Sequence, residues 1–576
     1  MITETIKNSI REALLKIGIS HSEIHLEHPD EISHGDYSTN IALALAKEVK
    51  ENPKALAEKI KKELDSSPIK EIEKVEVAGA GFINFYLTKD FFADSLKDIL
   101  LKGDEFGKGE LLKGKIALFE YTDPNAFKDF HIGHLMSNAI GESLSRLAEA
   151  EGATVKRLCY GSDIGLPVAK AVWGMQKFTL ANKSAFPHDG DSLSDKVRFL
   201  SDSYVAGNTA YEEDEIAKKE IKEINKKLYE MSDQELNIYY KKGREWSLQK
   251  LNEIYLKLGT KFDQFYFESE MAEQGKNIVL KNIENGIFEK SEGAIVFKGE
   301  KYGLHTRVFL TSEGLPPYEA KELALFDKKQ KDFSDNDVSV VVTANEQNDY
   351  FKVVSKVISI LSPEIGEKLI HVSHGLLRFA EGKMSSRKGN VITGESLLLE
   401  TEKDVYEKIA DRDLSAEEKK EVAEAVSVAA IKYSILKQYP GKDIIYDKEK
   451  SLAFEGDTGP YLEYSYVRAS SLLEKVNNLG IEQSIKIPSN WETKEIEKLL
   501  YRYPEVLRHA WDEKGPQIVA EYIMRLSSSF NAFYTEGKIA DKEDVNSSYK
   551  IAITRAFSIV LKSGLYILGI KALRKM

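Results

Sequence analysis

Cysteine is nearly missing from this chain. One residue, Cys159, stands among 576, which excludes a disulfide framework and any zinc site built from several thiolates. Long apolar runs are missing too. None approaches the ~18 residues that a membrane-spanning helix needs. The N-terminal "MITETIKNSIREALLKIG" carries charges throughout an amphipathic helical pattern and lacks the apolar stretch of a secretory leader. The predicted address is the cytoplasm, and no membrane partner is expected. There is no internal repeat and no low-complexity segment. Positive charge is in deficit: 81 Lys+Arg against 93 Asp+Glu give a formal −12, which argues against a general nucleic-acid coat protein. The deficit is uneven, because residues 425–576 hold 22 Lys+Arg against 19 Asp+Glu. An acidic body with a mildly basic C-terminal part permits RNA contact through local patches.

What is present organises into three regions. At 42% hydrophobic and 30% charged residues, the chain has globular composition, and its length suits about three or four domains. Residues 1 to 100 mix helical patterns with short apolar runs such as "GFINFYL", which predicts a small α+β domain. From 111 the texture changes. "KIALFEY" reads as a buried strand, and a Pro-Asn turn follows. "HLMSNAIGESLSRLAEAEG" then has helical spacing (Leu135, Ile140, Leu144, Leu147) up to Gly152, and "TVKRLCY" is the next strand. Strand, turn, helix and strand make a βαβ unit, hence a parallel sheet with ligand bound at the strand carboxyl ends. A polar, mostly helical stretch over 175–290 interrupts this pattern. Strands resume at "RVFLTSEG" and "DVSVVVTA", and after 395 the patterns are helical to Met576, with a Gly/Pro break at "GDTGP".

Two short stretches carry chemistry. In "DPNAFKDFHIGH" (123–134), His131 and His134 sit three apart at a helix start. Free backbone N–H groups and the helix dipole favour anions there, and two imidazoles on one face can donate to the same phosphate. Gly133 removes a side chain where a base or ribose approaches. Two surface or capping histidines are the plainer alternative. A zinc site has no further histidine or cysteine nearby to complete it. In "EGKMSSRKGN" (381–390), Lys383, Met384, Ser385, Ser386, Arg387 and Lys388 combine small, hydroxylated and cationic residues beside glycine. That composition suits a loop closing on a triphosphate, and equally a solvated surface loop.

Taken as a pair, "HIGH" and "KMSSR" some 250 residues apart resemble the two signatures of class I aminoacyl-tRNA synthetases. Finer matches resemble the arginyl-tRNA synthetase family: "EYTDPNAFKDFHIGH", "GSDIG", "KFDQFYFES", "SEGAIVF", "TSEGLPPYEAKELA", "ANEQNDYFK" and "GDTGPYLEYSYVRAS", in that order. "ISHGDYSTNIALALAK" with "GAGFINFYL" resembles the additional N-terminal domain of that specificity, and "FNAFY" and "LGIKALRKM" the end of its helical domain. The likeness runs from about residue 28 to Met576.

The resemblance implies an α/β multidomain protein. Its parts are an N-terminal tRNA-binding domain (1–100), a Rossmann-like catalytic domain (111–395) with its insertion, and an all-helical anticodon-binding domain (396–576). It implies ATP with Mg²⁺ carried on the nucleotide, no zinc, L-arginine and tRNA(Arg) as substrates, and a monomer. By position it implies that His131, His134, Lys383 and Lys128 act on the phosphates. Gly133 and Met384 to Arg387 would line the nucleotide, and Glu120, Asn125, Tyr318, Glu322 and Gln347 would hold arginine. Asn84, Phe85 and Tyr86 would lie against the outer corner of the tRNA, while Tyr461, Tyr464 and Arg468 would meet the RNA on the C-terminal side. Arginine's guanidinium stays charged and offers five N–H donors, so its pocket needs carboxylates and oxygen acceptors. Such a substrate is selected by ~10⁴–10⁵ without proofreading, so the 175–290 interruption is read as structural. Two departures stand out. Glu322 occupies a position where the family has aspartate, and the chain keeps both Lys128 and Lys383, where many arginyl enzymes have lost the second. A synthetase for another amino acid, or a catalytically silent RNA-binding relative, are the alternatives.

Overall fold

The computed structural model describes residues 2–182, 186–380 and 392–576. They form two compact units that do not follow chain order. One unites residues 1–106 with 468–504 and 525–563; the other unites 107–467 with 505–524 and 564–576.

In the first unit, β1 (Tyr37–Thr39), β2 (Ile72–Ala78) and β3 (Phe82–Leu87) pair antiparallel in the order β1-β3-β2. "GFINFYL" is therefore the central strand. Its alternate residues Ile83, Phe85 and Leu87 enter a core with Ile6, Ile10 and Leu14 of the N-terminal helix and Leu56 and Ile60 of the helix Pro53–Ser66. That core also takes in Tyr501, whose ring centroid lies 5.3 Å from Phe91, 5.8 Å from Phe92 and 6.2 Å from Tyr37. The same unit contains the ion pair of buried Asp36 with half-buried Lys498 (3.0 Å), and Lys89 Nζ donates to the Trp491 carbonyl at 2.8 Å.

The second unit is built on five parallel strands: β4 (Ile116–Glu120), β5 (Thr154–Gly161), β6 (Gln264–Phe267), β10 (Asn336–Ala344) and β11 (Leu369–His374), ordered β11-β10-β4-β5-β6. A small antiparallel sheet of β7 (Glu289–Ser291), β8 (Ala294–Phe297) and β9 (Arg307–Leu310) lies between β6 and β10 in sequence. The chain leaves β4 toward β5 on one side and returns to β10 on the other. The crevice between the carboxyl ends of β4 and β10 is thus the switch point, where a doubly wound sheet binds its ligand.

Helix Ile132–Ala150 follows β4 because its sequence is apolar on more than one face. Leu135, Leu144 and Leu147 are fully buried, and Gly152 (φ +93°) ends it in a left-handed turn.

Two readings of the sequence are corrected here. The helical interruption comprises Leu193–Glu213, Glu215–Glu230 and Gln234–Lys257 and ends before β6, not at 290. The run "QFYF" is too short for its period to be read, yet it is the edge strand of the main sheet. After 395 one further strand, β13 (Ile444–Tyr446), pairs in parallel with β12 (Leu377–Phe379); three residues carry no alternation to reveal it.

Candidate functional site

The turn between β4 and helix Ile132–Ala150 is strained. Thr122, Asp123 and Phe127 all have positive φ (81°, 45° and 64°), which non-glycine residues adopt only when their surroundings enforce it. The enforcement is visible. Ser137 Oγ accepts from Thr122 N–H at 2.9 Å and donates to the Val342 carbonyl of β10 at 3.0 Å. Asp123 Oδ1 accepts from Tyr160 N–H at 2.8 Å, and Ser247 Oγ accepts from Phe127 N–H at 3.0 Å. Asn125 bridges to Ser162 beyond β5. The turn carries His131 to the N-cap of the helix.

There the rings of His131 and His134 stack with centroids 3.4 Å apart, and the His131 N–H donates to His134 Nδ1 at 3.3 Å. With Nδ1 accepting, a neutral His134 carries its proton on Nε2 as a donor. Burial, the partner ring and the Lys128 charge lower the pKa of His134 well below the usual value; burial, Lys128 and His374 lower that of His131. Both are neutral donors in neutral solution. A Cβ on Gly133 would stand 3.2 Å from the His131 ring, so glycine leaves that ring its place. Lys128 Nζ lies 5.4 Å from the Tyr204 ring centroid.

Residues 381–391, with Lys383, Met384, Ser385, Ser386 and Arg387, lie outside the described residues. Thr393 forms a bridge with His131, and the Gly394 N–H donates to the Phe130 carbonyl at 2.7 Å. A Cβ on Gly394 would meet the Phe130 ring at 2.9 Å. On the other flank the Ala380 N–H donates to the Tyr446 carbonyl at 3.1 Å. Thr393 and Gly394, just beyond the second signature, therefore lie against the first.

Beside the histidines lies a group of buried acids. Glu120 ends β4 and is 2% exposed; its Oε2 is paired with the ammonium of Lys329, also 2% exposed. Glu322, on the helix Tyr318–Asp332, is 5% exposed. Its Oε2 accepts from the Tyr350 hydroxyl at 3.3 Å, and its Oε1 has no partner among the described residues. Burial, and then the Glu120 charge, push its pKa up to about 8. Asp123 is pushed well above the carboxylate range by burial and again by Glu120. Glu268, by contrast, is satisfied by Lys321 at 2.5 Å. Asp123 is thus held protonated, and Glu120 and Glu322 share one lysine, so the pocket has room for one more cation. Tyr318 opens the Glu322 helix one turn earlier and is exposed, and Gln347 ends the short turn after β10. The structure thus gathers Glu120, Asn125, Tyr318, Glu322 and Gln347 around the carboxyl ends of β4, β5 and β10. Lys329, Tyr350 and Asp123 were not foreseen. Lys329 stands seven residues after Glu322, two helical turns on the same face, a spacing that could have revealed it.

The expected RNA contacts are less uniform. Phe85 is 0% exposed in the core, and the Asn84 amide oxygen accepts from Ser38 Oγ at 2.8 Å, so these two side chains stabilise the sheet. Tyr86 donates to Glu76 at 2.9 Å. Tyr464 is 37% exposed, while Arg468 donates to Asn531 and covers the Tyr534 ring. No described helix is long and apolar enough to cross a membrane.

Three family descriptions match successive parts of the chain: "Arginyl tRNA synthetase N terminal domain" over residues 4–87, "tRNA synthetases class I (R), catalytic domain" over 95–447, and "DALR anticodon binding domain" over 462–576. The arginine–tRNA ligase of Clostridium acetobutylicum is 30% identical over 568 residues, covering 98% of this chain and 97% of the relative. That of Fusobacterium nucleatum is 32% identical, covering 94% and 93%. The arginyl-tRNA synthetase of Thermus thermophilus has the same fold, with a TM-score of 0.80 at 22% identity over the whole of both chains. A switch-point crevice with paired imidazoles and a cation-deficient acid pocket fits these matches, and the chain belongs to the arginyl-tRNA synthetase family of class I synthetases, arginine–tRNA ligases that use ATP.

Proposed function

We propose a division of labour among these residues for the two steps of arginyl-tRNA synthesis. In the first, a carboxylate oxygen of arginine attacks the α-phosphorus of ATP and pyrophosphate leaves. His131 and His134 donate to the α-phosphate oxygens as charge builds there, with Gly133 and the segment Met384–Arg387 beside the nucleotide. Lys383 and Lys128 neutralise the β- and γ-phosphates. In the second step the 2′-OH of the terminal adenosine of tRNA(Arg) attacks the activated carbonyl and AMP leaves. No side-chain nucleophile takes part; positioning and charge stabilisation carry both steps. Glu322 pairs with the guanidinium, Tyr318 supplies an oxygen beside it, and Asn125 and Gln347 hold the amino-acid backbone. The observation that carries this reading is the buried Glu322 Oε1, without a partner among the described residues, in a pocket one cation short.

Glu120 has a different part from the one its position implied. With its Oε2 seated against Lys329, it shapes the pocket and leaves the guanidinium to Glu322. Among the described residues no group of three or more His, Cys, Asp or Glu is placed to hold a metal, and Mg²⁺ enters with the ATP phosphates. We assign tRNA contact to 1–100, catalysis to 111–395 and anticodon binding to 396–576. Tyr461, Tyr464 and Arg468 face tRNA, and the enzyme works as a cytoplasmic monomer. Arginine-dependent exchange of pyrophosphate into ATP, with and without cognate tRNA, is the test. Exchange with arginine alone among amino acids, and only with tRNA present, is expected. Exchange with another amino acid, or none at all, would refute the proposal.

A further inference from the structure

The amino-acid pocket contains one cation that the aminoacylation chemistry does not call for. Lys329 is buried, its ammonium against Glu120 and 4.4 Å from the Phe326 ring centroid. A buried ion pair adds little to stability over an apolar pair of the same size, so packing alone gives no reason for it. The groups facing Glu322 come from every element around it. Glu120 arrives from β4, and Asp123 from the turn behind it. The neutral hydroxyls of Tyr160 in β5 and Tyr350 in the helix Asn348–Leu361 stand beside it, and Glu268 is already held by Lys321. Among the described residues, Lys329 is the cation that acts on both Glu120 and Glu322.

We propose that Lys329 is a positioning residue of the amino-acid pocket: by neutralising Glu120 it reserves Oε1 of Glu322 as the single anionic place for the substrate's side-chain cation. This rests on Glu322 meeting the guanidinium, as proposed above. Without Lys329, Glu120 and Glu322 are two like charges in one dry site, and one of them holds a proton. The Lys329 charge opposes burial and Glu120 in setting the Glu322 pKa, so the lysine eases the loss of that proton as the substrate's cation arrives.

Lys329→Met keeps the length and removes the charge; Lys329→Arg keeps the charge. Both are measured with Glu322→Gln in arginine-dependent pyrophosphate exchange, tRNA present, from about pH 6.5 to about 9.5. Lys329→Met is expected to move the pH midpoint of arginine KM up by about one unit or more. KM near neutral pH then rises about tenfold, while kcat at saturating arginine and the ATP KM stay within about twofold of wild type. Lys329→Arg restores the midpoint. A lysine that only packs the core would lower the melting temperature and leave the midpoint in place, which overturns the proposal. Should Lys329→Met fail to fold, Glu120→Gln frees Lys329 for Glu322: arginine KM should rise and the midpoint should fall, and an unchanged midpoint again overturns it. If Glu322→Gln leaves arginine KM unchanged, the underlying assignment of Glu322 fails. If it raises KM and Lys329→Met shifts nothing, only the role of Lys329 fails.

Discussion

The charge state of Glu322 sets how arginine binding responds to pH. Burial and the Glu120 charge place its pKa at about 8, while the guanidinium stays charged throughout. The carboxyl proton must therefore leave as arginine enters. A site competent only when ionised loses apparent affinity by the fraction that is protonated. For a pKa near 8 that loss is about 30-fold at pH 6.5, about fourfold at pH 7.5 and close to nothing at pH 9. Arginine KM should accordingly fall steeply between about pH 6.5 and 8 and then level off. The sign for stability follows from the same shift. The folded protein keeps a proton that the unfolded chain has lost between its ordinary 4.5 and about 8, so the arginine-free fold loses stability as pH rises through that window, and arginine restores it at the alkaline end. Glu322→Gln removes both effects: its arginine KM should be flat with pH and higher by the equivalent of ~2–5 kcal/mol. Its preference for arginine over neutral citrulline should narrow, with ATP KM nearly unchanged. Pyrophosphate exchange over the pH series, with tRNA and saturating ATP, measures all of this. A wild-type KM that is flat below pH 8, or a mutant that binds arginine normally, would refute the reasoning.

Alanine at His131 or His134 should lower kcat by ~10²–10³ with little change in arginine KM; near-normal adenylate formation by both folded mutants would return them to a capping role. Because burial leads in keeping both rings neutral, wild-type kcat should show no loss where an ordinary histidine gives up its proton, around pH 6.5. Lys128→Ala and Lys383→Ala, compared for ATP KM and kcat, should each impair activation; an effect confined to one shows which lysine carries the triphosphate. Tyr464→Ala should raise tRNA KM and leave the melting temperature alone. Phe85→Ala, by contrast, should cost ~3–5 kcal/mol of stability; a Phe85→Ala protein that melts like wild type but binds tRNA poorly would reverse that assignment.

Much of the catalytic unit was legible in the chain because buried parallel strands and their helices announce themselves. "KIALFEY", "TVKRLCY" and "DVSVVVTA" are β4, β5 and β10, and the paired histidines fall at the predicted helix start. Strand order was out of reach, since pairing depends on contacts far apart in sequence. The three-residue β13 and four-residue β6 escaped because runs that short have no readable period. The site was legible in its acids and not in its balance. Glu120 and Glu322 were expected together, but Lys329, one of three lysines in "DKKQK", is told from its neighbours only by which face of the helix is buried. Phe85 shows the opposite failing: an aromatic in a strand looks the same whether it waits for a base or fills a core.

The aromatic cradle around Tyr501 has a consequence for how the protein is made. Its walls, Tyr37, Phe91 and Phe92, leave the ribosome early, and the ring that fills it follows some 400 residues later. At translation rates of ~5–20 residues per second, the nascent N-terminal part waits about 20–80 s with that face open to water. During that interval the whole catalytic sheet has emerged and had time to form. The order of synthesis therefore favours a catalytic sheet that forms before the core of the first hundred residues receives its last ring, and it leaves that face open to chaperones in the meantime.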